Sequence, residues 1–172
     1  ISHAVAQGQT LTLQGSNSKA FYGTVTHSDA VLDTRAYSGI VSYEPSELVV
    51  TLRAGTPLTE LEALLASQGQ CLAFEPPHFG PAATVGGMVA SGLSGPARAS
   101  VGALRDFILG VKIINGRGEV LTFGGQVMKN VAGYDVSRLL AGSLGTLGVI
   151  TELSLKVLPT TPAEATLQCS GL

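Results

Sequence analysis

The chain has 172 residues, a formal net charge of −2 and 45% hydrophobic residues. This length is sufficient for one domain with a sizeable core, and the composition excludes intrinsic disorder. The 10 basic residues are scattered along the chain, which argues against a nucleic-acid surface, because such surfaces cluster Lys and Arg. No run of about 18 apolar residues is present, so we expect no membrane span.

The residue types that bind metals or attack substrates form no recognisable pattern. Cys71 and Cys169 lie far apart and match no metal-ligand spacing, so we expect free thiols in a reducing compartment. No cluster of His, Cys and Asp predicts a metal site. No Ser/His/Asp or Cys/His set at motif spacing predicts nucleophilic catalysis.

In chain order, the first half of the sequence predicts three strands and one helix. The strands are predicted at 10–14, 30–33 and 48–54. Thr56 is predicted as the N-cap of the helix and Pro57 as its first residue. A leucine repeat over 58–65 predicts a buried helix face, and Gly69 predicts the end of the helix.

The second half predicts more strands, separated by loops. After a Pro-rich loop at 75–78, the stretch 83–92 predicts a turn that leads into a short helix. The later elements are predicted as a strand at 107–114, a turn at 115–118, a strand at 119–123, a helix at 135–141 and a strand at 149–158. The Pro159–Pro162 segment predicts a domain edge. We therefore expect one mixed α+β domain, with a smaller lobe over about 1–53, a larger lobe over about 54–158 and a linker over 159–172.

Glycine is the most informative residue type, with 22 residues gathered mainly between apolar segments. Two loops, 15–19 and 84–92, combine glycine with small side chains that leave main-chain N–H groups uncovered. Such groups form an anion-binding nest, and a helix N-terminus adds positive partial charge. Two such loops facing each other would hold a diphosphate with few basic side chains. A third segment, 142–148, is suited to lie against a ring or a ribose.

Each of these loops has an ordinary alternative. The loops 15–19 and 84–92 match neither the Gly-x-Gly-x-x-Gly fingerprint nor the phosphate loop that ends in Gly-Lys-Ser/Thr. Either loop alone is compatible with a simple turn. The segment 142–148 is equally compatible with a tight helix-to-strand connection.

The motifs together resemble the FAD-binding family typified by vanillyl-alcohol oxidase and p-cresol methylhydroxylase. Their order and spacing agree from about residue 10 to residue 158. The matching strings are Gln14–Ser18, Ala83–Gly87, Gly102–Gly110, Lys129–Asp135 and Gly142–Thr151. Within this family, the segments 14–21, 71–78 and 124–134 look most like those of the FAD-binding subunits of bacterial glycolate oxidases.

The resemblance implies a two-lobed α+β FAD-binding domain of the p-cresol methylhydroxylase type, with one FAD between the lobes. It assigns the diphosphate to Gly15, Ser16, Asn17, Ser18, Lys19, Thr84, Val85, Gly86 and Gly87. It assigns the adenosine half to the backbone of Gly148, Val149 and Ile150, and it places Pro76, Pro77 and Ser91 at the border of the cofactor. Some relatives attach FAD to a His in the first loop. Ser18 occupies this loop here, so we expect non-covalent FAD. Relatives often carry Asn where Gly92 stands, which leaves that contact unassigned.

The resemblance also implies a function. The chain would be the flavin subunit of a 2-hydroxy-acid (glycolate) oxidase or dehydrogenase that accepts hydride from the α-carbon of a small 2-hydroxy acid. Electrons would pass to an iron–sulfur subunit, in a complex with a second flavin subunit. The complex would be cytoplasmic and peripheral to the inner face of the membrane. The base and the carboxylate-binding Arg belong to a C-terminal cap domain in the family, so no catalytic residue is predicted in this chain.

Other readings remain open at this point. The chain could be an electron-transfer or structural flavin subunit with no substrate turnover of its own, or a binding module without flavin. His78 is either a solvated loop residue or an acid–base group beside the flavin. Arg105 and Asp106 are either an ion pair that fixes a turn or a substrate clamp. Lys129 and Tyr134 either pack or reach the cofactor or a partner chain.

Overall fold

The computed structural model describes residues 1–24, 27–126 and 133–171. The strands in these ranges are β1 (Leu11–Gln14), β2 (Ala30–Asp33), β3 (Ile40–Glu44), β4 (Val49–Arg53), β5 (Gln70–Cys71), β6 (Ile108–Ile114), β7 (Val120–Gly124), β8 (Val149–Lys156) and β9 (Leu158–Pro159). The α-helices are α1 (Ser2–Ala6), α2 (Leu58–Ala66), α3 (Val85–Ser91), α4 (Arg98–Val101) and α5 (Val136–Leu139). Short 3-10 helices cover Pro45–Glu47 and Leu104–Phe107.

A five-stranded antiparallel sheet in the order β3-β4-β8-β6-β7 forms the centre of the fold. Strands β1 and β2 pair in parallel as a separate two-stranded sheet, and β5 pairs with β9 in a third. The predicted hairpin is confirmed, because β6 and β7 pair across a turn in which the Asn115 side chain accepts from the N–H of Arg117. The mixed α+β class is also confirmed.

The predicted smaller lobe over about 1–53 contains strands of two different sheets. Strands β1 and β2 form their own sheet, whereas β3 and β4 belong to the five-stranded sheet. The reason is a long-range contact: the hydroxyls of Thr51 on β4 and Ser154 on β8 lie 2.9 Å apart, 103 residues apart in sequence. A local pattern of β-branched residues identifies such a strand but does not identify its partner.

The predicted linker also begins later than residue 159. The predicted final strand is interrupted at Val157, after which β9 continues as the partner of β5. Pro159 pairs with Gln70, and the N–H of Thr160 donates to the carbonyl of Gly69 at 2.8 Å. These contacts attach the chain to the end of α2, so 159 and 160 are part of the folded domain.

One hydrophobic core joins the sheet to helices α2 and α3. The leucine repeat lies in it as predicted, since Leu58, Leu61 and Leu65 are fully buried. Strand residues of alternating pattern contribute from the sheet, and Met88 and Val89 contribute from α3. The core therefore fixes the start of α3 against the end of β4, which positions the second glycine loop.

The predicted cap of α2 is wrong. Helix α2 begins at Leu58, and Pro57 rather than Thr56 occupies the N-cap position, with φ −58° and ψ 135°. The Thr56 hydroxyl donates to the carbonyl of Arg53 at 2.7 Å and accepts from the N–H of Gly39 at 2.9 Å. Because its hydroxyl holds the turn after β4, it is not available to the helix. Helix α2 ends at Ala66 with Ser67 as its C-cap, and the left-handed Gly69 (φ +63°) follows before β5.

Candidate functional site

The first two glycine loops lie in direct contact. Gly15 follows β1, and Thr84 is the N-cap of α3, where its hydroxyl accepts from the N–H of Gly87 at 3.2 Å. A Cβ placed on Gly15 would lie 2.6 Å from Thr84 Oγ1, closer than real Cβ atoms approach other atoms. Glycine at position 15 therefore allows the bend after β1 to reach the start of α3.

The first loop offers unused main-chain donors. The N–H groups of residues 15–19 donate to no acceptor among the described residues. Asn17 adopts a left-handed conformation with φ 60°, and its carbonyl accepts from the N–H of Ala20 at 3.2 Å. Successive free N–H groups around a left-handed bend form a concave anion site. The first loop has this form.

The second loop offers fewer free donors than its small side chains suggest. The N–H of Val85 donates to the carbonyl of Thr56 at 2.9 Å, and the N–H of Gly86 donates to the carbonyl of Ala54 at 2.7 Å. A Cβ on Gly86 would lie 2.8 Å from the Ala54 Cβ. Glycine is therefore needed here for close packing of α3 on the end of β4. With the N–H groups of Val85 and Gly86 occupied, the loop contributes mainly shape to the site.

The third glycine segment connects α3, β1 and β8. The N–H groups of Gly142 and Leu144 donate to carbonyls of α3, at 3.0 Å to Val89 and 2.9 Å to Ala90. A Cβ on Gly145, which has φ +79°, would lie 2.8 Å from Leu13 Cδ1. The segment is thus a tight connection into β8 and also forms one wall of the site.

A cavity of about 90 Å³ lies where the three glycine segments meet. Its lining residues are Leu13, Gln14, Gly15, Thr34, Ala54, Gly86, Gly87, Ala90, Leu144, Gly145, Gly148, Val149 and Ile150. None of these side chains is charged. A second cavity of about 450 Å³ adjoins it and shares Thr34, Ala54, Val149 and Ile150. The two cavities form one cleft between the end of β2 and the start of β8.

The structure brings together only part of the predicted site. Gly15, Gly86, Gly87, Gly148, Val149 and Ile150 line the smaller cavity, and Ser16, Asn17, Ser18 and Lys19 continue the loop from Gly15. Val85 is fully buried in the core, and the Ser91 hydroxyl donates to the carbonyl of Met88 within its own helix. Pro76 and Pro77 line neither cavity.

Several lining residues were not predicted. Thr34 and Ala54 each directly follow a strand, β2 and β4, and the end of a strand beside glycine loops is a usable signal for a lining position. Gly145 lies in a segment whose glycines were recognised, but its contact with Leu13 depends on the tertiary fold.

His78 and Asp106, whose roles the sequence left open, have structural partners. His78 Nε2 lies 2.9 Å from Glu62 Oε1 on α2, which favours a surface role. Asp106 fixes a turn by accepting from the N–H of Ala103 at 3.0 Å, but its ion-pair partner is Arg138 at 3.9 Å rather than Arg105. The expectation of an Arg105–Asp106 ion pair is therefore wrong.

Two further expectations concern the segment after β7. Lys129 lies outside the described residues. Tyr134 is 76% exposed, so it does not pack in the core.

The charged side chains that line the larger cavity are paired. Arg35 Nε donates to both carboxylate oxygens of Asp33, and these hydrogen bonds hold the pKa of Asp33 below its usual value. Lys112 Nζ lies 3.0 Å from Glu152 Oε1. The remaining lining is largely apolar, with Leu32, Ile114, Val120, Val149 and Ile150. Such a surface suits a flat, uncharged ring.

The described residues contain neither a metal-binding cluster nor a membrane-spanning helix. No group of three or more His, Cys, Asp and Glu side chains in 1–24, 27–126 and 133–171 is placed to hold a metal ion. In the same part of the chain, no helix has the length and apolar character needed to cross a membrane.

A bend of free amides beside a glycine-lined cavity without charged side chains is the arrangement expected of a nucleotide-binding domain. Comparison with known proteins agrees. The model of the FAD binding domain family matches residues 1–124. The chain belongs to this family, and FAD is confirmed as its cofactor.

The relatives include glycolate oxidase subunits and a D-lactate dehydrogenase. The chain is 55% identical over 168 residues to the glycolate oxidase subunit GlcE of Escherichia coli, covering 98% of this chain and 48% of that protein. It is 37% identical over 120 residues to D-lactate dehydrogenase of Anaerostipes hadrus, covering 70% and 25%. It is 30% identical over 156 residues to the glycolate oxidase subunit GlcD of Bacillus subtilis, covering 90% and 33%. The chain therefore spans about half or less of the length of these relatives.

A solved structure of alkyldihydroxyacetonephosphate synthase matches with a TM-score of 0.73 and 26% identity, covering 93% of this chain and 29% of that one. The predicted p-cresol methylhydroxylase-type fold is confirmed.

Proposed function

We propose that this chain is the FAD-binding part of a flavin subunit of a glycolate oxidase, which oxidises a small 2-hydroxy acid. The contact between Gly15 and Thr84 carries the proposal within the structure, because it closes the free amides of the first loop onto the cleft. The 55% identity to GlcE of Escherichia coli over nearly the whole chain supports the substrate class.

The residues of the cleft fit FAD. Residues 15–19 would hold the anionic diphosphate through N–H groups that have no acceptor among the described residues. Val149 and Ile150 line both cavities and would meet the adenosine half. The larger cavity, about 450 Å³ and largely apolar, would take the adenine ring. Ser18 in place of a His supports non-covalent binding.

In the proposed reaction the chain itself binds and orients. Bound FAD supplies the chemistry of hydride acceptance from the α-carbon. The cleft contributes apolar walls that exclude water from the nucleotide, and main-chain donors that hold it in place. By the family resemblance, the base that takes the proton of the substrate hydroxyl would lie elsewhere in the full-length protein.

The proposal extends to partners. The names of the relatives GlcE and GlcD identify them as glycolate oxidase subunits. By this likeness, the chain would work in a complex with a second flavin subunit and an iron–sulfur subunit that receives the electrons. We place this complex in the cytoplasm, at the inner face of the membrane.

Two measurements test the proposal. FAD is titrated into the full-length protein and into this chain while flavin fluorescence is followed, and we expect saturable binding. Because the binding is expected to be non-covalent, acid precipitation of the protein should release all of the FAD into the supernatant. Glycolate is then added without oxygen, and we expect the flavin absorbance of the full-length subunit to bleach. Bleaching only in the assembled complex would favour an electron-transfer or structural subunit. If the protein does not bind FAD, both the substrate-oxidising role and the electron-transfer role are refuted.

A further inference from the structure

The turn between β6 and β7 joins an asparagine directly to a glycine. Asn115 is half-buried, whereas Gly116 and Arg117 are exposed. A Cβ built on Gly116 would meet no atom within 4 Å, and the N–H of Gly116 donates to no acceptor among the described residues. The main-chain nitrogen of Gly116 is therefore open to water and free of side-chain crowding.

The side chain of Asn115 is held against this turn by hydrogen bonds from both of its polar atoms. Its Oδ1 accepts from the N–H groups of Arg117 at 2.9 Å and Glu119 at 3.0 Å, and its Nδ2 donates to Glu119 Oε2 at 2.7 Å. The bond to the N–H of Arg117 folds the side chain back over the peptide unit that joins residues 115 and 116. Two donors on Oδ1 would also stabilise the negative charge that this oxygen gains when Cγ is attacked.

Asparagine is a chemically labile residue, and this turn places a reactive nitrogen beside it. We propose that Asn115 is a site of spontaneous deamidation, and that its conversion disturbs the cofactor cleft. The Gly116 nitrogen, after giving its proton to water, attacks Cγ of Asn115, and the new N–Cγ bond closes a succinimide ring. The Cγ–Nδ2 bond breaks, and Nδ2 takes up a proton from water and leaves as ammonia. Water then opens the ring at either carbonyl, which gives aspartate or isoaspartate.

Either product removes a contact on which the turn depends. Aspartate places a carboxylate oxygen where Nδ2 donated to Glu119, so two like charges would face each other at the end of the hairpin. Isoaspartate routes the main chain through the former side chain, which lengthens the turn by one carbon atom. The second product therefore changes the path of the backbone as well as its charge.

The turn touches the wall of the cleft. A Cβ built on Gly148 would lie 2.9 Å from the carbonyl oxygen of Ile114 and 3.6 Å from Asn115 Cα. Gly148 lines the smaller cavity, and Ile114, Gly118 and Val120 line the larger one. A longer main chain at residue 115 would therefore displace residues of both cavities. This effect on FAD rests on the proposed function, whereas the chemistry of the turn is independent of it.

The first experiment follows the modification itself. The full-length protein is incubated in mildly alkaline buffer and then digested with trypsin, which releases residues 113–117 by cleavage after Lys112 and Arg117. Conversion of Asn115 raises the mass of this peptide by the difference between a hydroxyl and an amino group. Labelling by an isoaspartyl methyltransferase measures the isoaspartate fraction.

The chain offers an internal control and a matched variant. Asn17 is exposed, but it is followed by Ser18, whose Cβ hinders ring closure. We expect Asn115 to convert at least about tenfold faster than Asn17, because glycine leaves its own nitrogen unobstructed. Gly116→Ala adds a Cβ that meets no atom of the fold, so this variant should fold like wild type and slow the conversion by at least about tenfold.

The second experiment measures the consequence for the cleft. The deamidated protein is separated by ion exchange, since it carries an added negative charge. Its isoaspartate form should bind FAD at least about fivefold more weakly than the fresh protein. Asn115→Asp should lower the cofactor-free melting temperature by about 2–4 °C. Asn115→Asp with Glu119→Gln restores an amide donor opposite the carboxylate and should recover most of this loss.

The outcomes separate the two proposals. If Asn115 converts no faster than Asn17, or if Gly116→Ala converts as fast as wild type, the modification site is refuted while the FAD site stands. If the isoaspartate form binds FAD like the fresh protein, the effect on the cleft is refuted. If fresh wild type binds no FAD, the proposed function fails, and the mass measurement still decides whether Asn115 is modified.

Discussion

Gly15 and Thr84 lie so close that a single added methyl group at position 15 would reach 2.6 Å from the threonine hydroxyl. The bend after β1 and the first turn of α3 are therefore in direct contact, although β1 lies outside the five-stranded sheet against which α3 packs. This contact is the most direct target for mutation.

Gly15→Ala should push the two loops apart. We expect a loss of about 1–3 kcal/mol in the free energy of unfolding, the usual cost of overpacking. FAD affinity should fall by at least about tenfold, because the free amides of 15–19 would shift away from the cleft. Urea unfolding and flavin fluorescence measure the two effects.

The control for this change is Gly116→Ala in the β6–β7 turn, where an added Cβ meets no atom within 4 Å. Thr84→Ala alone loses the cap of α3 and should cost about 1 kcal/mol. The double change Gly15→Ala with Thr84→Ala should cost less than the sum of the single changes. Strict additivity would mean that the two residues do not compete for space.

Gly86→Ala tests a different role for glycine. The added Cβ would lie 2.8 Å from the Ala54 Cβ and 2.9 Å from the Ala54 carbonyl oxygen. We expect a loss of about 1–3 kcal/mol of stability from the displacement of α3. A variant that melts like wild type would show that the helix adjusts without strain.

The hydroxyl pair of Thr51 and Ser154 should stabilise the junction of β4 and β8. Both residues are buried, and the Gln126 side chain also donates to Thr51 Oγ1 at 3.1 Å. Thr51→Val should cost about 1–3 kcal/mol, because it leaves buried polar groups without a partner. Thr51→Val with Ser154→Ala should cost less than the two single losses together. Urea denaturation of the four proteins gives the coupling energy.

Asp29 should contribute a pH-dependent part of stability. The N–H and hydroxyl of Thr10 both donate to its carboxylate at 2.7 Å, and the main-chain hydrogen bond is the larger cause of its lowered pKa. A carboxylate with a lowered folded-state pKa stabilises the fold above its unfolded pKa, near 3.8, and loses this effect as pH falls further.

Asp29→Asn should therefore be less stable than wild type at pH 6, and the difference should narrow between pH 5 and pH 2. Unfolding by urea at each pH measures it. Glu47→Gln removes an equal charge from the 3-10 helix at Pro45–Glu47 and serves as the control. A gap that stays constant with pH would exclude Asp29 as its source.

Local features of the sequence predicted most of the elements and the first loop. Glycine and small residues favour bends in the chain, so the local sequence was enough to predict the loop Gly15–Lys19 and the turn before α3. The β6–β7 hairpin followed from its turn residues. These features depend on neighbours within a few residues.

The errors share one physical cause: the packed fold gives a polar group a different partner from the one that the local sequence suggests. The Thr56 hydroxyl bonds to Arg53 and Gly39 instead of capping α2. The N–H groups of Val85 and Gly86 bond to the carbonyls of Thr56 and Ala54, which leaves the second loop with fewer free donors than its small residues suggested. A donor's partner is set by tertiary packing, and the local pattern does not contain it.

The central position of β8 in the sheet affects the order in which the domain folds during synthesis. Strands β3 and β4 on one side, and β6 and β7 on the other, meet only through β8. During synthesis on the ribosome, the two earlier strand pairs must wait, with their inner edges open, until residues 149–156 have left the exit tunnel. Closure of the nucleotide cleft is therefore a late event, and chaperones that shield strand edges would be most useful in that interval.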